Sequence, residues 1–387
     1  MTGVRLWAIV PSMVAQSPER ELVEGAPSTT SAEKSSRQRP AGIAALLDAK
    51  RYIVGPLYDW WLFLGPPTLA VVLGFIVSET PAAHEEIDFH GYEQSISALL
   101  LGIFIHAHLF AVFFRSHGNG TIRKLYPGRF LLAPVLLFTG MMLNDVFMVS
   151  ISVLATFWDV YHSGAQTFGF ARLYDMKAGN DPLVGRKLDF WLNQLLYAGP
   201  IIGGATMLDH FEDFNEFKAV DLDFFEKVPA FMTAEQGYFT WSILIVGGLF
   251  LVYYLYAQWR FTKQGYTVSP QKVFLLVTTG ACSIVVWGFN TWGEAFLIMN
   301  AFHALQYFGL VWAKERPTMQ KMLGMDGQGA WKRALTWVVF IALTLGYGYW
   351  AEAADSDVRA FVAITLVVSI MHFWYDGFVW SVRKKQV

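Results

Sequence analysis

Apolar stretches about as long as a bilayer is thick recur along this chain, and they leave it few ways to fold. A helix crossing the ~30 Å hydrocarbon core needs about 20 predominantly apolar residues. Inside lipid every backbone polar group must be paired within the structure, which favours helices. Ten such stretches are readable, at 57–78, 94–115, 129–143, 146–173, 188–208, 237–260, 271–290, 293–313, 335–352 and 358–382. The third and fourth share one apolar run broken only by Asn144 and Asp145, and the third is short for a full crossing. The expected fold is all-α, a polytopic transmembrane helix bundle of about ten spans. Only 16% of residues are charged, against about a quarter in soluble domains.

The connecting segments alternate in charge. Lys50 and Arg51, then Arg115, Arg123, Lys124 and Arg129, then Lys177, Arg186 and Lys187 lie on one side. Lys263 and Lys272, the cations from Lys314 to Arg333, and Arg383, Lys384 and Lys385 join them. The intervening segments are acidic: Glu79 to Glu93, Asp209 to Glu235, and Glu352 with Asp355 and Asp357. Basic residues collect on the cytoplasmic side, so both termini are expected there, and the even-numbered helices run inward.

Residues 1–50 read as a disordered tail, rich in Ser, Thr, Lys and Arg from Ser28 to Pro40. The apolar run Leu6 to Ala15, broken by Pro11, fits an unstructured extension better than a secretory signal. Residues 51–387 form one transmembrane domain with an acidic outer segment at 209–236. There Phe211, Phe214, Phe217 and Phe225 share a face, as a packed lid or a substrate entrance. The single cysteine, Cys282, excludes a disulfide framework or thiolate cage. The net charge of −2 argues against nucleic acid as a partner.

Of nine histidines, His84, His90 and His210 fall in outer segments and are assigned to solvent, and His117 lies at the inner surface. The other five, His106, His108, His162, His303 and His372, lie within spans. Counting back from Arg115, Arg172, Lys314 and Arg383, these sit roughly 14–17 Å above the basic anchors at about 1.5 Å per residue. That is near the midplane. His106 and His108 are two apart and face nearly opposite ways, so one ligates while the other makes a hydrogen bond.

Polar residues accompany the histidines at helical spacing: Asp159 and Gln166 with His162, Asn300, Gln306 and Tyr307 with His303, Ser369 and Asp376 with His372. The sequences after His162, His303 and His372 echo one another, with Gln166, Gln306 or Asp376 followed by Gly169, Gly309 or Gly377. Ionisable groups at this depth are costly unless they pair or bind something. Imidazoles backed by carboxylates suit a metal, and with no thiolate they suit iron, zinc or copper rather than magnesium.

The leading expectation is a non-haem iron oxygenase acting on a lipophilic substrate drawn from the lipid bilayer: an isoprenoid, a carotenoid or a fatty acyl lipid. His108, His162, His303 and His372 are the expected metal ligands, with His106 as the alternative to His108. Asp159 and Asp376 are ligands or orienters, and Tyr161, Tyr307 and Tyr375 donate protons or position oxygen. Gln166, Asn300, Gln306 and Arg172 are the expected cofactor-binding residues, and Arg172 with the inner loops also offers a docking face for an electron-donor protein. One alternative is electron transfer through haem b, held by His162 with His303 or His108 with His372. Another is a metal or proton transporter, disfavoured because the polar residues form a layer and not a column.

With one histidine on each of several spans, and the closing segment His372-Phe-Trp-Tyr-Asp376-Gly-Phe-Val-Trp380, the chain resembles the Brp/Blh type of membrane carotene oxygenase. That resemblance implies a multi-pass protein of the bacterial inner membrane that cleaves a carotenoid to retinal with oxygen and iron.

Overall fold

Each of the ten apolar stretches contains a helix among the described residues. A computed structural model describes residues 46–387 apart from 79, 290–294, 328 and 381–387. The tail at 1–45, and with it the basic residues at 383–385, lies outside the described residues. Ten long helices follow in order: α1 (Pro56–Leu64 and Pro66–Ser78), α2 (Ile96–Ser116), α3 (Pro127–Leu143), α4 (Asp145–Lys177) and α5 (Arg186–Ile202). They continue with α6 (Gln236–Lys263), α7 (Pro270–Gly288), α8 (Ala295–Met322), α9 (Ala330–Ala353) and α10 (Arg359–Val379). Among the described residues, six of these are long and apolar enough to cross a membrane: α2, α4, α6, α7, α9 and α10. α1 makes a seventh if its two halves are one span. α3 is apolar but shorter, while α5 and α8 carry more polar and charged residues.

α1 bends by 52° between its halves. Pro66 and Pro67 bring no backbone N–H, so the carbonyl of Phe63, four residues before Pro67, loses its helical donor. Gln306 Nε2 on α8 donates to that carbonyl instead, at 2.8 Å.

α2 is central, packed between α8, α9 and α10, and α4 packs on α5, α7 and α10. The approach of α9 to α2 is tight, since a Cβ added at Gly348 would meet the Ile103 carbonyl at 2.0 Å. α6 lies at the edge and exposes Leu244, Ile245, Val246, Leu249, Val252 and Leu255.

Two local expectations change. The acidic segment after α1 contains a hairpin, β1 (Glu86–Phe89) paired antiparallel with β2 (Tyr92–Ser95). His90 and Gly91 both take positive φ at its turn, as a two-residue hairpin turn demands. α5 stops at Ile202 because Gly204 sits against the end of α7, where a Cβ would come within 2.5 Å of the Gly288 Cα. The chain there bonds to the Trp287 and Gly288 carbonyls and turns away. The acidic segment at 209–236 is helical in short pieces. Its phenylalanines do share a face: Phe217 stacks on Phe225 at 4.4 Å, and Phe211 and Phe214 pack on Phe157 of α4. With Thr156 donating to Asp213, this is a packed lid.

Candidate metal centre

Four helices bring one imidazole each into one group of neighbouring rings: His108 from α2, His162 from α4, His303 from α8 and His372 from α10. Pairing order explains the shared level. Asp159 meets Asn300, His162 meets His303, and Gln166 meets Gln306, so α4 and α8 run parallel. His372 bonds at Leu109, and Val379 at Arg115 one to two turns on, so α2 and α10 run parallel as well.

The rings form a closed circuit. Centroids lie 5.2 Å apart from His108 to His303, 5.0 Å to His162, 4.8 Å to His372 and 5.0 Å back to His108. A ring whose nitrogen is about 2.1 Å from a metal has its centroid about 3.2 Å from it, so neighbouring rings on one ion stand roughly 4.5–5.3 Å apart. The observed circuit has that size. All four side chains are buried, with exposures of 0–4%.

The nitrogens fit the same purpose. His108 Nδ1 faces the Ile105 carbonyl at 2.5 Å, and His372 Nδ1 the Leu109 carbonyl at 3.1 Å. A carbonyl accepts only, so each Nδ1 carries the proton and each Nε2 presents a lone pair, the arrangement of a metal-binding imidazole. His108 Nε2 and both ring nitrogens of His303 have no hydrogen-bond partner. Buried polar atoms are almost always paired. The Nε2 atoms of His372 and His162 lie 3.1 Å apart. The ligating atoms of His108, His303 and His372 fall within 4.8 Å of one another, as do those of His162, His372 and Asp376.

Asp376 completes the set. Its Oδ1 accepts from Tyr307 OH at 2.8 Å and from Trp380 Nε1 at 3.0 Å. Its Oδ2 faces His162 Nε2 and His372 Nε2 at 3.8 and 3.9 Å. Tyr307 is fully buried, with its ring 4.6 Å from His372. Behind this group Arg115 lies over the Trp380 ring at 4.5 Å and donates to Glu315 Oε1 at 2.5 Å.

Not every expected residue joins. His106 faces away from the circuit, and its Nδ1 pairs with Glu352 Oε1 at 2.8 Å. Tyr161 is half exposed, against Phe190 at 6.2 Å, because a residue next to His162 points about 100° around the helix. Tyr375 points to the Arg129 carbonyl. Gln166 and Gln306 tie helices together: Gln166 Nε2 donates to the His303 carbonyl at 3.1 Å and to Gln306 Oε1 at 3.3 Å. Asp159 and Asn300 bond to each other and line a small pocket with Ser163, Tyr197, Trp287 and Met299. His210, expected in solvent, is buried against Trp287 with its Nδ1 on the Thr206 carbonyl, and burial pushes its pKa down.

Arg172 offers no docking face. It is buried and donates to Asp175 Oδ2 at 2.6 Å, Asp189 Oδ2 at 2.5 Å and the Pro182 carbonyl at 2.9 Å. Lys272 Nζ reaches the same carboxylates at 2.8 and 2.7 Å. Charge counting along the segments missed this cluster. Its signal was the spacing of Arg172 and Asp175 on one helix face, with Asp189 and Lys272 at matching ends of α5 and α7.

A haem fits poorly. Both proposed axial pairs belong to one circuit of four rings, which leaves no flat slot for a macrocycle. Beside the circuit an apolar groove of about 400 Å³ opens sideways between α3, α4 and α10. Leu136, Phe147, Trp158, Met371 and Trp374 line it. Phe373 stands 5.0 Å from the His162 ring and 6.5 Å from Trp158, between groove and circuit. Comparison with protein families, curated proteins and solved structures finds no match.

Proposed function

We propose that the protein is a membrane-integral non-haem metal oxygenase acting on a lipophilic substrate, with His108, His162, His303, His372 and Asp376 holding one transition-metal ion. The observation that carries this reading is the circuit of four buried imidazoles in which His108 Nε2 and both nitrogens of His303 have no partner. Neutral nitrogen donors with one carboxylate and no thiolate suit iron, zinc or copper, of which the oxygenase reading takes iron. Bound there, iron would supply oxygen activation. Tyr307 and Trp380 hold the carboxylate through Oδ1 and leave Oδ2 toward the ligands. The Ile105 and Leu109 carbonyls fix the tautomers of His108 and His372, and Tyr307 OH is the nearest side-chain hydroxyl bonded to that carboxylate.

The groove supports the substrate class. It is lined by apolar side chains of α3, α4 and α10, which suit an apolar ligand. The charge alternation of the connecting segments supports ten spans with both termini cytoplasmic. α8 carries His303 in the middle of the bundle, so it crosses as its polar face turns inward. The resemblance to Brp/Blh enzymes supports a carotenoid substrate and a bacterial inner-membrane location.

The test combines metal analysis of the detergent-solubilised protein with its production in cells that accumulate β-carotene. About one iron per chain and formation of retinal are expected. A protein with no stoichiometric transition metal ends this reading, and iron without retinal removes the carotenoid but keeps the centre.

A further inference from the structure

A column of polar side chains runs through the bundle away from the imidazole circuit, contrary to the single layer expected from the sequence. On α5, Asp189, Asn193 and Tyr197 follow at four-residue intervals and share a face. On α7, Lys272, Thr279 and Ser283 form a matching stripe that ends at Trp287. On α4, Asp175, Thr167, Ser163 and Asp159 ascend in reverse order.

Contacts anchor both ends. At one end Lys272, Asp175 and Asp189 are bonded together. At the other, Trp287, Tyr197, Ser163 and Asp159 line one small pocket, next in sequence to His162 and, through Met299 and Asn300, to His303. In between, Tyr197 OH and Thr167 Oγ1 are 2.8 Å apart. α7 and α5 also touch midway, where Gly280 meets Leu196. From Lys272 to Trp287 the column is about 22 Å long at 1.5 Å per residue.

Three atoms along it have no hydrogen-bond partner: Asn193 Oδ1, Thr279 Oγ1 and Ser283 Oγ. Their residues are all fully buried. Hydroxyls inside helices ordinarily return to the carbonyl four residues back, as Thr336, Thr344 and Ser369 do here. Thr279 and Ser283 do not. An unpaired polar group in a bundle surrounded by lipid costs several kcal/mol, and polar interior sites with several such groups are where internal water resides.

We propose that this stripe is an internal hydrated path that carries protons between the Arg172–Asp175–Asp189–Lys272 cluster and the pocket beside the imidazoles. Asn193, Thr279 and Ser283 hold water through their unpaired oxygens. Each proton entering at the carboxylate cluster is matched by one delivered at the pocket, with no change of oxidation state. The path deepens the metal-centre reading by naming how protons reach that site, but its hydration stands without a metal.

X-ray radiolytic footprinting in isotopically labelled water tests the hydration. Tyr197, Trp287 and Met299, which are 2–4% exposed, should take up oxygen from bound water, while Phe340, equally buried but off the path, should not. Thr279→Val with Ser283→Ala should remove the labelling, and Asn193→Leu, on another helix, should do the same should the double variant fail to fold. Labelling no higher than at Phe340 overturns the proposal. The proton role is read from exchange of the imidazole N–H groups with D2O in protein carrying ¹⁵N-histidine. The path variants should slow that exchange at least tenfold. Unchanged exchange overturns proton carriage. Metal content, measured in parallel, should be unaffected, so loss of the metal-centre reading and loss of this one are separate results.

Discussion

His303→Leu gives the sharpest test of the imidazole circuit, because the structure predicts a change of sign. Both ring nitrogens of His303 are buried and unpaired by the protein itself. Each unsatisfied buried group costs about 1–3 kcal/mol, so the metal-free protein carries roughly 2–6 kcal/mol of unfavourable energy at this one side chain. Leucine has a similar volume and no polar atom, so in metal-depleted protein the variant should be more stable than the parent, by about 2 kcal/mol at the lower bound. With metal present the gap should shrink by about 3 kcal/mol, so that at this lower bound the order reverses. An ion held at a thousand times its dissociation constant stabilises by about 4 kcal/mol. Losing one imidazole should weaken binding by at least ~100-fold, above the 10–100-fold typical of residues that only orient ligands. Unfolding in detergent, with and without a strong chelator, together with elemental analysis, gives all four stabilities. If leucine destabilises by the same amount in both conditions, His303 is a packing residue and the reasoning fails.

Further outcomes can be checked separately. Asp376→Asn should reduce metal affinity by about 10–100-fold in an equilibrium chelator competition. Unchanged affinity would make Asp376 only a partner of Tyr307 and Trp380. Lys272→Met leaves Asp175 and Asp189 sharing Arg172 and should cost about 3–5 kcal/mol, as breaking a buried ion cluster does, read from a denaturant midpoint. Tyr161→Phe should leave metal content and affinity unchanged, because its side chain points out of the bundle. The lid should loosen in acid. His210 has a lowered pKa through burial, so below the ordinary imidazole value of ~6.5 the unfolded segment takes up a proton that the folded one refuses. Stability is unaffected above that pH and falls below it, and proteolysis within 212–235 should accelerate from pH 7.5 to pH 5.5. A rate independent of pH refutes this.

The sequence made the helices legible because spans are set by length and apolarity, which are local properties. Among the described residues fewer are long and apolar enough to cross, since α5 and α8 devote one face to buried polar contacts. The imidazole level was legible for a similar reason: residues at equal distance from charged anchors, on helices of one direction, must lie at one height. Angle around the helix was harder to read. It separated His108 from His106 correctly in principle, but Tyr161 was credited for adjacency to His162 although one residue turns it toward lipid. Basic residues misled in another way. Arg115 and Arg172 served as markers of the membrane edge, yet both are buried, one with Glu315 and one with two aspartates. A net count of charge is blind to pairing between distant segments. The hairpin at 86–95 was hidden by its carboxylates, which mask the alternation of Ile87 and Phe89.

The four imidazoles come from positions 108, 162, 303 and 372, spread over most of the chain, and the last helix contributes two of the five candidate ligands. During synthesis, the earlier helices can insert and pair while the coordination sphere is still open. Only when α10 docks between α2 and α4 do His372 and Asp376 close it. Under the proposed metal-centre reading, uptake of an ion is thereby tied to the docking of α10, and a chain arrested before that helix would hold the other three imidazoles without the closing pair.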